Sequence, residues 1–133
     1  MTDRILVAAT AALALADGVL HLAIVVLFSR RFPSFATSSL GLMFLANFFG
    51  YVVLTAAFLF GRRRLGDRAW LANLLLIVYA AGSIGVWVWY GRPNPMGLGY
   101  PSKALEALLI VAATAHWWVS SRATAPASAS LSR

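Results

Sequence analysis

Four long apolar stretches dominate this sequence and limit what the chain can fold into. They cover residues 5–28, 40–60, 69–90 and 101–119, and the fourth is the shortest and the most interrupted. A helix needs about 20 mostly apolar residues to cross a hydrocarbon layer of about 30 Å. Hydrophobic residues make up 61% of the 133 residues and charged residues only 11%, a balance that does not suit a small water-soluble domain. The sequence therefore predicts a polytopic membrane protein.

The connections between these stretches are short, and they predict the fold class. The links are "SRRFPSFATSS", "GRRRLGDR" and "GRPNPMGLGYPSK". Because connections of this length make consecutive helices antiparallel, we expect an all-α, up-down-up-down bundle of four transmembrane helices over residues 1–121. The small and polar composition of residues 122–133 predicts a disordered tail.

The positions of the basic residues explain the net charge of +7. They lie mostly in the links, where they encode membrane topology, so the lipid bilayer and not nucleic acid is the expected partner. Seven arginines would share the side of the N-terminus, at positions 4, 62–64, 68, 122 and 133. The opposite side would hold four basic residues: Arg30, Arg31, Arg92 and Lys103. This bias predicts a multi-pass protein of the inner (plasma) membrane with both termini in the cytoplasm.

A few polar residues interrupt the apolar stretches. The segment "ADGVLHLAIVV" places Asp17 and His21 four residues apart, on one face of the first helix. An ionised aspartate near the bilayer centre costs at least about 2.5–3.5 kcal/mol, so it should face the bundle interior, pair or stay protonated. At about 1.5 Å per residue, polar groups of the other three helices reach similar depths. The candidate ligand- or proton-binding residues are Asp17, His21, Asn47, Tyr51, Ser83 and Glu106.

Two interpretations of this polar cluster compete. It can be structural, because buried hydrogen bonds fix the order and rotation of helices in lipid. It can also be a binding site or a proton path, since ionisable residues inside a membrane are usually functional. Two carboxylates and a histidine favour a site. Lys103 and Glu106, three residues apart, can instead form an interfacial ion pair that contributes little free energy.

Cofactor signals are weak. His21 and His116 could be axial ligands of a b-type haem, but their depths differ by about 10 Å, which disfavours a shared iron. Asp17, His21 and Glu106 are possible metal ligands by type, yet their spacing is not diagnostic, so no metal site is predicted. The chain has no cysteine, which excludes thiolate ligands and nucleophiles. It also lacks the familiar phosphate-binding, dinucleotide and hydrolase motifs, so no catalytic residues are assigned and an enzyme is the least supported function.

Three segments resemble a known group of membrane proteins. They are "DGVLHLAIVVLF", "GLMFLANFFGYVVL" and "YPSKALEALLIVAA", and they resemble the small four-helix DoxX-like proteins and related uncharacterised prokaryotic families. The shared elements are Gly18-x-x-His21-Leu22 in helix 1 and Lys103-x-x-Glu106 at the start of helix 4. Helix 3 matches only in a tryptophan near its end. The resemblance implies a four-helix bundle, and because some relatives are described as parts of quinone-linked oxidoreductases, it leaves quinone open as a cofactor.

Two main functional hypotheses follow. The first is a small integral membrane subunit or accessory protein of a larger complex. Its partner helices, or a second copy of the chain, would pack on small residues spaced four apart, at Ala14 and Gly18, Ala46 and Gly50, and Ala81 and Gly85. The second is a ligand-binding or proton/cation-coupled transport bundle that uses Asp17, His21 and Glu106. A b-type haem or quinone-linked redox protein is a weaker third hypothesis.

Overall fold

The computed structural model describes residues 2–123, apart from the side chains of residues 62, 63, 67 and 123. Four α-helices make up nearly all of this range: α1 (Thr2–Arg31), α2 (Ser39–Leu65), α3 (Trp70–Trp89) and α4 (Gly99–Ala123). Short 3-10 turns at Pro33–Thr37, Gly66–Arg68 and Pro95–Gly97 connect them. Most of the predicted disordered tail lies outside the described residues, while its first two positions form the end of α4.

All four helices are long and apolar enough to cross a membrane. The spans are Thr2–Arg31, Ser39–Gly61, Trp70–Trp89 and Gly99–Arg122. This confirms the prediction of an all-helical chain with four potential transmembrane helices. Helices α1, α2 and α4 extend beyond the apolar stretches, because their flanking polar residues continue the helical hydrogen bonding. The outward-facing side chains are also apolar, including the exposed Val53, Phe60 and Val111, which suits contact with lipid.

The ends of the helices follow from local chemistry. Ser38 caps α2, because its side-chain oxygen accepts a hydrogen bond from the backbone N–H of Gly41 at 3.1 Å. Pro33 opens the preceding turn and cannot continue α1. Between α3 and α4, Gly91 and Gly97 adopt positive φ angles of 78° and 77°, a backbone region that glycine tolerates best.

Each helix packs against the next, and α1 also packs against α4, which closes the bundle. Paired contacts show that α1 and α4 are antiparallel: Asp3 contacts His116, and His21 lies near Glu106. The least extensive of the four interfaces lies between α2 and α3. The central apolar core consists of Ala14, Tyr51, Phe58, Ala72, Leu76, Ala80 and Leu109. A second apolar cluster, of Ile24, Val25, Phe35 and Phe44, closes one end.

The small residues divide into packed and open positions. A Cβ atom at Gly18 would lie 3.2 Å from the Cβ of Tyr51, so this glycine permits close approach of α1 and α2. A Cβ atom at Gly50 would collide with the ring of Tyr79, which packs directly on α2. Gly85 differs, because a Cβ atom there would meet nothing within 4 Å. Gly18 and Gly50 are therefore packed against neighbouring helices, whereas Gly85 faces outward.

Candidate functional site

Polar side chains from all four helices converge in the bundle interior. We call this group the Asp17 cluster, and its members are Asp17 and His21 of α1, Tyr51 of α2, Ser83 of α3, and Ser102, Lys103 and Glu106 of α4. Asp17, His21, Tyr51 and Glu106 have no exposed surface at all. Five of the six residues predicted as site candidates thus lie together, and the sixth, Asn47, lies elsewhere.

Glu106 accepts hydrogen bonds from two neighbours within the cluster. The Lys103 ammonium donates hydrogen bonds to both of its carboxylate oxygens, at 2.7 and 2.8 Å. The Ser83 hydroxyl donates to Glu106 Oε1 at 2.6 Å and accepts from Lys103 Nζ at 2.9 Å. The Lys103 side chain is only 11% exposed and that of Glu106 is 0% exposed. The predicted ion pair is present, but burial makes it a structural part of the interior and not a weak interfacial contact.

The histidine of the cluster presents a free lone pair. His21 Nδ1–H donates to the backbone carbonyl oxygen of Asp17 at 2.9 Å, so Nδ1 carries the ring proton. In the neutral ring, Nε2 is then an acceptor. This atom is buried, has no hydrogen-bond partner among the described residues, and lies 4.0 Å from Glu106 Oε1. A lone pair therefore faces a carboxylate oxygen, with no hydrogen atom between them.

The Asp17 carboxylate is also unsatisfied. Both of its oxygens are buried, and neither has a hydrogen-bond partner within residues 2–123. Its Oδ2 lies 3.4 Å from His21 Nδ1, but that nitrogen already donates its hydrogen to the backbone carbonyl oxygen of Asp17. Glu106, Lys103 and Ser102 are its remaining polar neighbours. If both carboxyl groups are ionised and His21 is neutral, the cluster carries one negative charge more than the Lys103 ammonium neutralises.

Asp17, His21 and Glu106 could hold a cation. One acceptor atom from each residue can be chosen so that no two are more than 4.8 Å apart. The ligands of a tetrahedral zinc ion, each at about 2.1 Å from the metal, lie about 3.4 Å apart, so a metal would require the three side chains to move closer together. A proton or a larger cation would not require this.

A groove between α2 and α3 leads to the cluster from the side. Its volume is about 380 Å³, and its lining residues are Met43, Ala46, Asn47, Val78, Tyr79, Gly82, Ser83 and Val86. Ser83 belongs to both the groove and the Asp17 cluster. Asn47 lies in the groove wall, one helical turn from the buried Tyr51. The groove occupies the interface at which the bundle packs least closely.

A second polar group surrounds His116. We call Asp3, Asn73, His116 and Ser120 the His116 cluster. Nδ1 of His116 donates to Asn73 Oδ1 at 2.8 Å, and Nε2 lies 3.1 Å from Asp3 Oδ1. Ser120 Oγ lies 3.3 Å from the same Nε2. The structure does not bring His21 and His116 together as the haem hypothesis requires, because both nitrogens of His116 face other partners.

Sequence reasoning missed four members of these groups: Ser102, Asp3, Asn73 and Ser120. Ser102 is 1% exposed and lies beside Asp17. Its position four residues before Glu106, on the same helix face, was a usable signal. Asp3 contacts His116 from the first turn of α1, where an acidic residue is expected for reasons of the helix dipole alone. Its role was therefore not visible in the sequence.

A scan against protein-family models and searches of the curated proteins and of the solved structures found no match. The resemblance to DoxX-like proteins, carried by Gly18, His21, Leu22, Lys103 and Glu106, therefore stays a prediction. Function has to be argued from the site itself.

Proposed function

We propose that this chain is a four-span protein of the plasma membrane whose Asp17 cluster binds a proton or a small cationic ligand. The protein would act as a ligand-binding or proton/cation-coupled transport bundle. One observation carries the proposal: both Asp17 carboxylate oxygens are fully buried and make no hydrogen bond to the described residues, and neither does the lone pair on His21 Nε2. A cation with hydrogen atoms to donate would satisfy all three atoms.

The energetics favour a site over a purely structural role. A hydrogen bond that is made contributes about 0.5–1.5 kcal/mol to stability, whereas a buried polar group left unsatisfied costs about 1–3 kcal/mol. A cluster selected only to hold helices together would satisfy Asp17, as the His116 cluster satisfies its own histidine. Asp17 instead destabilises the unliganded bundle, and a bound cation would remove that cost.

The positive-inside bias supports an orientation with both termini in the cytoplasm. Lys103 lies inside the Asp17 cluster, so it does not act as a loop charge. The opposite side then has only three basic residues, Arg30, Arg31 and Arg92, against seven on the side of the termini.

The substitution Asp17→Asn tests the proposal. Asparagine keeps the shape of the side chain and removes its charge, so we expect a free energy of unfolding within about 1 kcal/mol of the wild-type value, or higher. Cation handling should be lost, measured as proton flux into proteoliposomes with an entrapped pH-sensitive dye. Asp3→Asn, the same change in the His116 cluster, is the matched control and should retain the flux. An Asp17→Asn protein that no longer folds would show that the cluster is structural.

A second candidate function, an integral membrane subunit or accessory protein, rests on one exposed surface. Ala81, Gly82 and Gly85 are exposed on α3, and a Cβ atom at either glycine would meet nothing within 4 Å. Such surfaces permit close helix approach in lipid. Purification from native membranes in mild detergent should recover a stoichiometric partner, and Gly85→Leu should release it. Recovery of a homo-oligomer alone would argue against a subunit.

A further inference from the structure

We infer that the ligand of the Asp17 cluster is a primary ammonium group on an apolar body, and that the groove between α2 and α3 receives the body. The inference rests on the proposed function and names the ligand class of the same site. Three features carry it: the spacing of the acceptors, the charge of the cluster, and the position of the groove.

The acceptor spacing fits an ammonium nitrogen better than a metal ion. Charged N–H···O bonds are about 2.8 Å long, so the acceptors around a tetrahedral ammonium lie about 4.6 Å apart. The acceptor atoms of Asp17, His21 and Glu106 lie within 4.8 Å of one another, and His21 Nε2 is 4.0 Å from Glu106 Oε1. A tetrahedral zinc ion would need these separations to shrink to about 3.4 Å. An ammonium nitrogen therefore matches these separations more closely than a zinc ion does.

Valence and charge agree with this spacing. A primary ammonium has three N–H donors and no acceptor, and the site offers one nitrogen lone pair and two carboxylates. Its single positive charge neutralises the one uncompensated negative charge of the cluster while Lys103 stays in place. A divalent ion would leave an excess positive charge unless Lys103 moved out. Lys103 also shows that this environment accommodates an ammonium, because its Nζ donates to both oxygens of Glu106.

The groove gives the ligand's body a place. It measures about 380 Å³, within the range of small-molecule pockets of about 300–1,000 Å³. Met43, Val78 and Val86 make its walls apolar. Ser83 is one of its lining residues, and the Ser83 hydroxyl is 2.6 Å from Glu106 Oε1. One hydrogen bond therefore joins the groove wall to the carboxylate, so an alkyl chain lying in the groove can direct its ammonium head toward the cluster.

Titration calorimetry on the full chain in lipid nanodiscs tests the inference. The probes are hexylammonium and hexyltrimethylammonium, which share charge and chain but differ in N–H donors, and zinc ions. We expect wild-type protein to bind hexylammonium at least about tenfold more tightly than the trimethyl compound, because the latter cannot donate to Asp17 or His21. Empty nanodiscs correct for partitioning into lipid. Asp17→Asn should lower hexylammonium affinity at least about tenfold, while Asp3→Asn leaves it unchanged.

A substitution that fills the groove tests whether it receives the body of the ligand. Val78 is exposed on the groove wall, and Val78→Trp should weaken binding of hexylammonium but not of methylammonium, which needs no groove.

Measurements on wild-type protein are enough to overturn the ammonium assignment. Equal affinity for the two hexyl compounds, or tighter binding of zinc, would do so. Failure of all probes with a stable Asp17→Asn protein would overturn it too, yet would leave proton binding as the proposed function. An Asp17→Asn protein that fails to fold would contradict the proposed function itself.

Discussion

The two polar clusters contain similar residues but differ in whether their buried polar atoms have hydrogen-bond partners. Each brings a histidine and an aspartate together: Asp17 and His21 both belong to α1, whereas His116 of α4 contacts Asp3 of α1. In the His116 cluster, both ring nitrogens face acceptors, Asn73 Oδ1 at 2.8 Å and Asp3 Oδ1 at 3.1 Å. In the Asp17 cluster, His21 Nε2 and both Asp17 oxygens have no hydrogen-bond partner among the described residues. Residue type alone therefore does not distinguish a structural network from a site; the satisfaction of each polar atom does.

The exposure of the two aspartates explains why the His116 cluster costs little free energy and the Asp17 cluster costs more. The Asp3 side chain is 48% exposed, so water solvates its charge, whereas that of Asp17 is 0% exposed. A hydrated carboxylate next to a buried histidine needs no further compensation. A fully buried carboxylate needs a counter-charge or a proton.

The largest effect should come from Glu106→Leu, which breaks the satisfied half of the Asp17 cluster. Removing one partner of a buried ion pair costs about 3–5 kcal/mol, because the Lys103 ammonium loses both of its carboxylate hydrogen bonds. Unfolding measured in nanodiscs should show this loss. The double variant Glu106→Leu/Lys103→Met should recover most of it. A single variant that loses less than about 1 kcal/mol would mean that the pair is solvated.

Asn73→Leu should have the next largest effect, and it tests the structural role of the His116 cluster. The change leaves His116 Nδ1–H buried without its acceptor, which costs about 1–3 kcal/mol of unfolding free energy. Asn47→Leu is the matched control: the same substitution in the groove wall should change stability by less than about 0.5 kcal/mol. Equal losses of unfolding free energy in the two variants would mean that the hydrogen bond between Asn73 and His116 does not stabilise the bundle.

Thr55→Val should change the free energy of unfolding by a smaller amount, and it should stabilise the protein. The Thr55 side chain is buried and its hydroxyl has no partner among the described residues, as is also true of Thr10. Replacing an unsatisfied hydroxyl by a methyl of similar shape should raise the free energy of unfolding by up to about 1 kcal/mol. A clear loss of stability would show that the hydroxyl is hydrogen-bonded, for example to water, and that polar contact continues between the two clusters.

The smallest expected difference is spectroscopic and leaves stability unchanged. Nitrogen-15 NMR of labelled protein should show His21 protonated at Nδ1 only, because that nitrogen donates to the Asp17 carbonyl oxygen. His116 should show both nitrogens as donors, since both face oxygen acceptors. Hexylammonium should shift the Nε2 signal of His21 and leave His116 unaffected. The same protonation pattern at both histidines would contradict the contrast between the clusters.

Much of the Asp17 cluster was predictable because depth along a helix follows from residue count. Asp17 and His21 share a face at a spacing of four, and Ser83 and Glu106 were placed at matching depths. The burial of each side chain was not predictable in this way. Asn47 and Tyr51 lie one helical turn apart on α2, yet Tyr51 is buried in the cluster while Asn47 lies in the groove wall.

Lys103 shows a second limit of sequence reasoning. Its position at the start of α4 suggests a residue that faces the lipid headgroups, but its side chain is 11% exposed and points to Glu106 and Ser83. A lysine has a long flexible side chain, so its Cα position does not determine where the ammonium lies.

The sequence by itself determined four apolar helices, short links, and two ionisable residues stacked near the middle of the first helix. Hydropathy, chain length and helical periodicity act locally, so they can be read from the order of residues. The tertiary structure alone decided which polar atoms find partners: His116 reaches Asn73 and Asp3, while Asp17 and the free nitrogen of His21 reach none. The physical reason is that hydrogen bonds form over about 3 Å, and only the packing of helices against one another sets distances that finely.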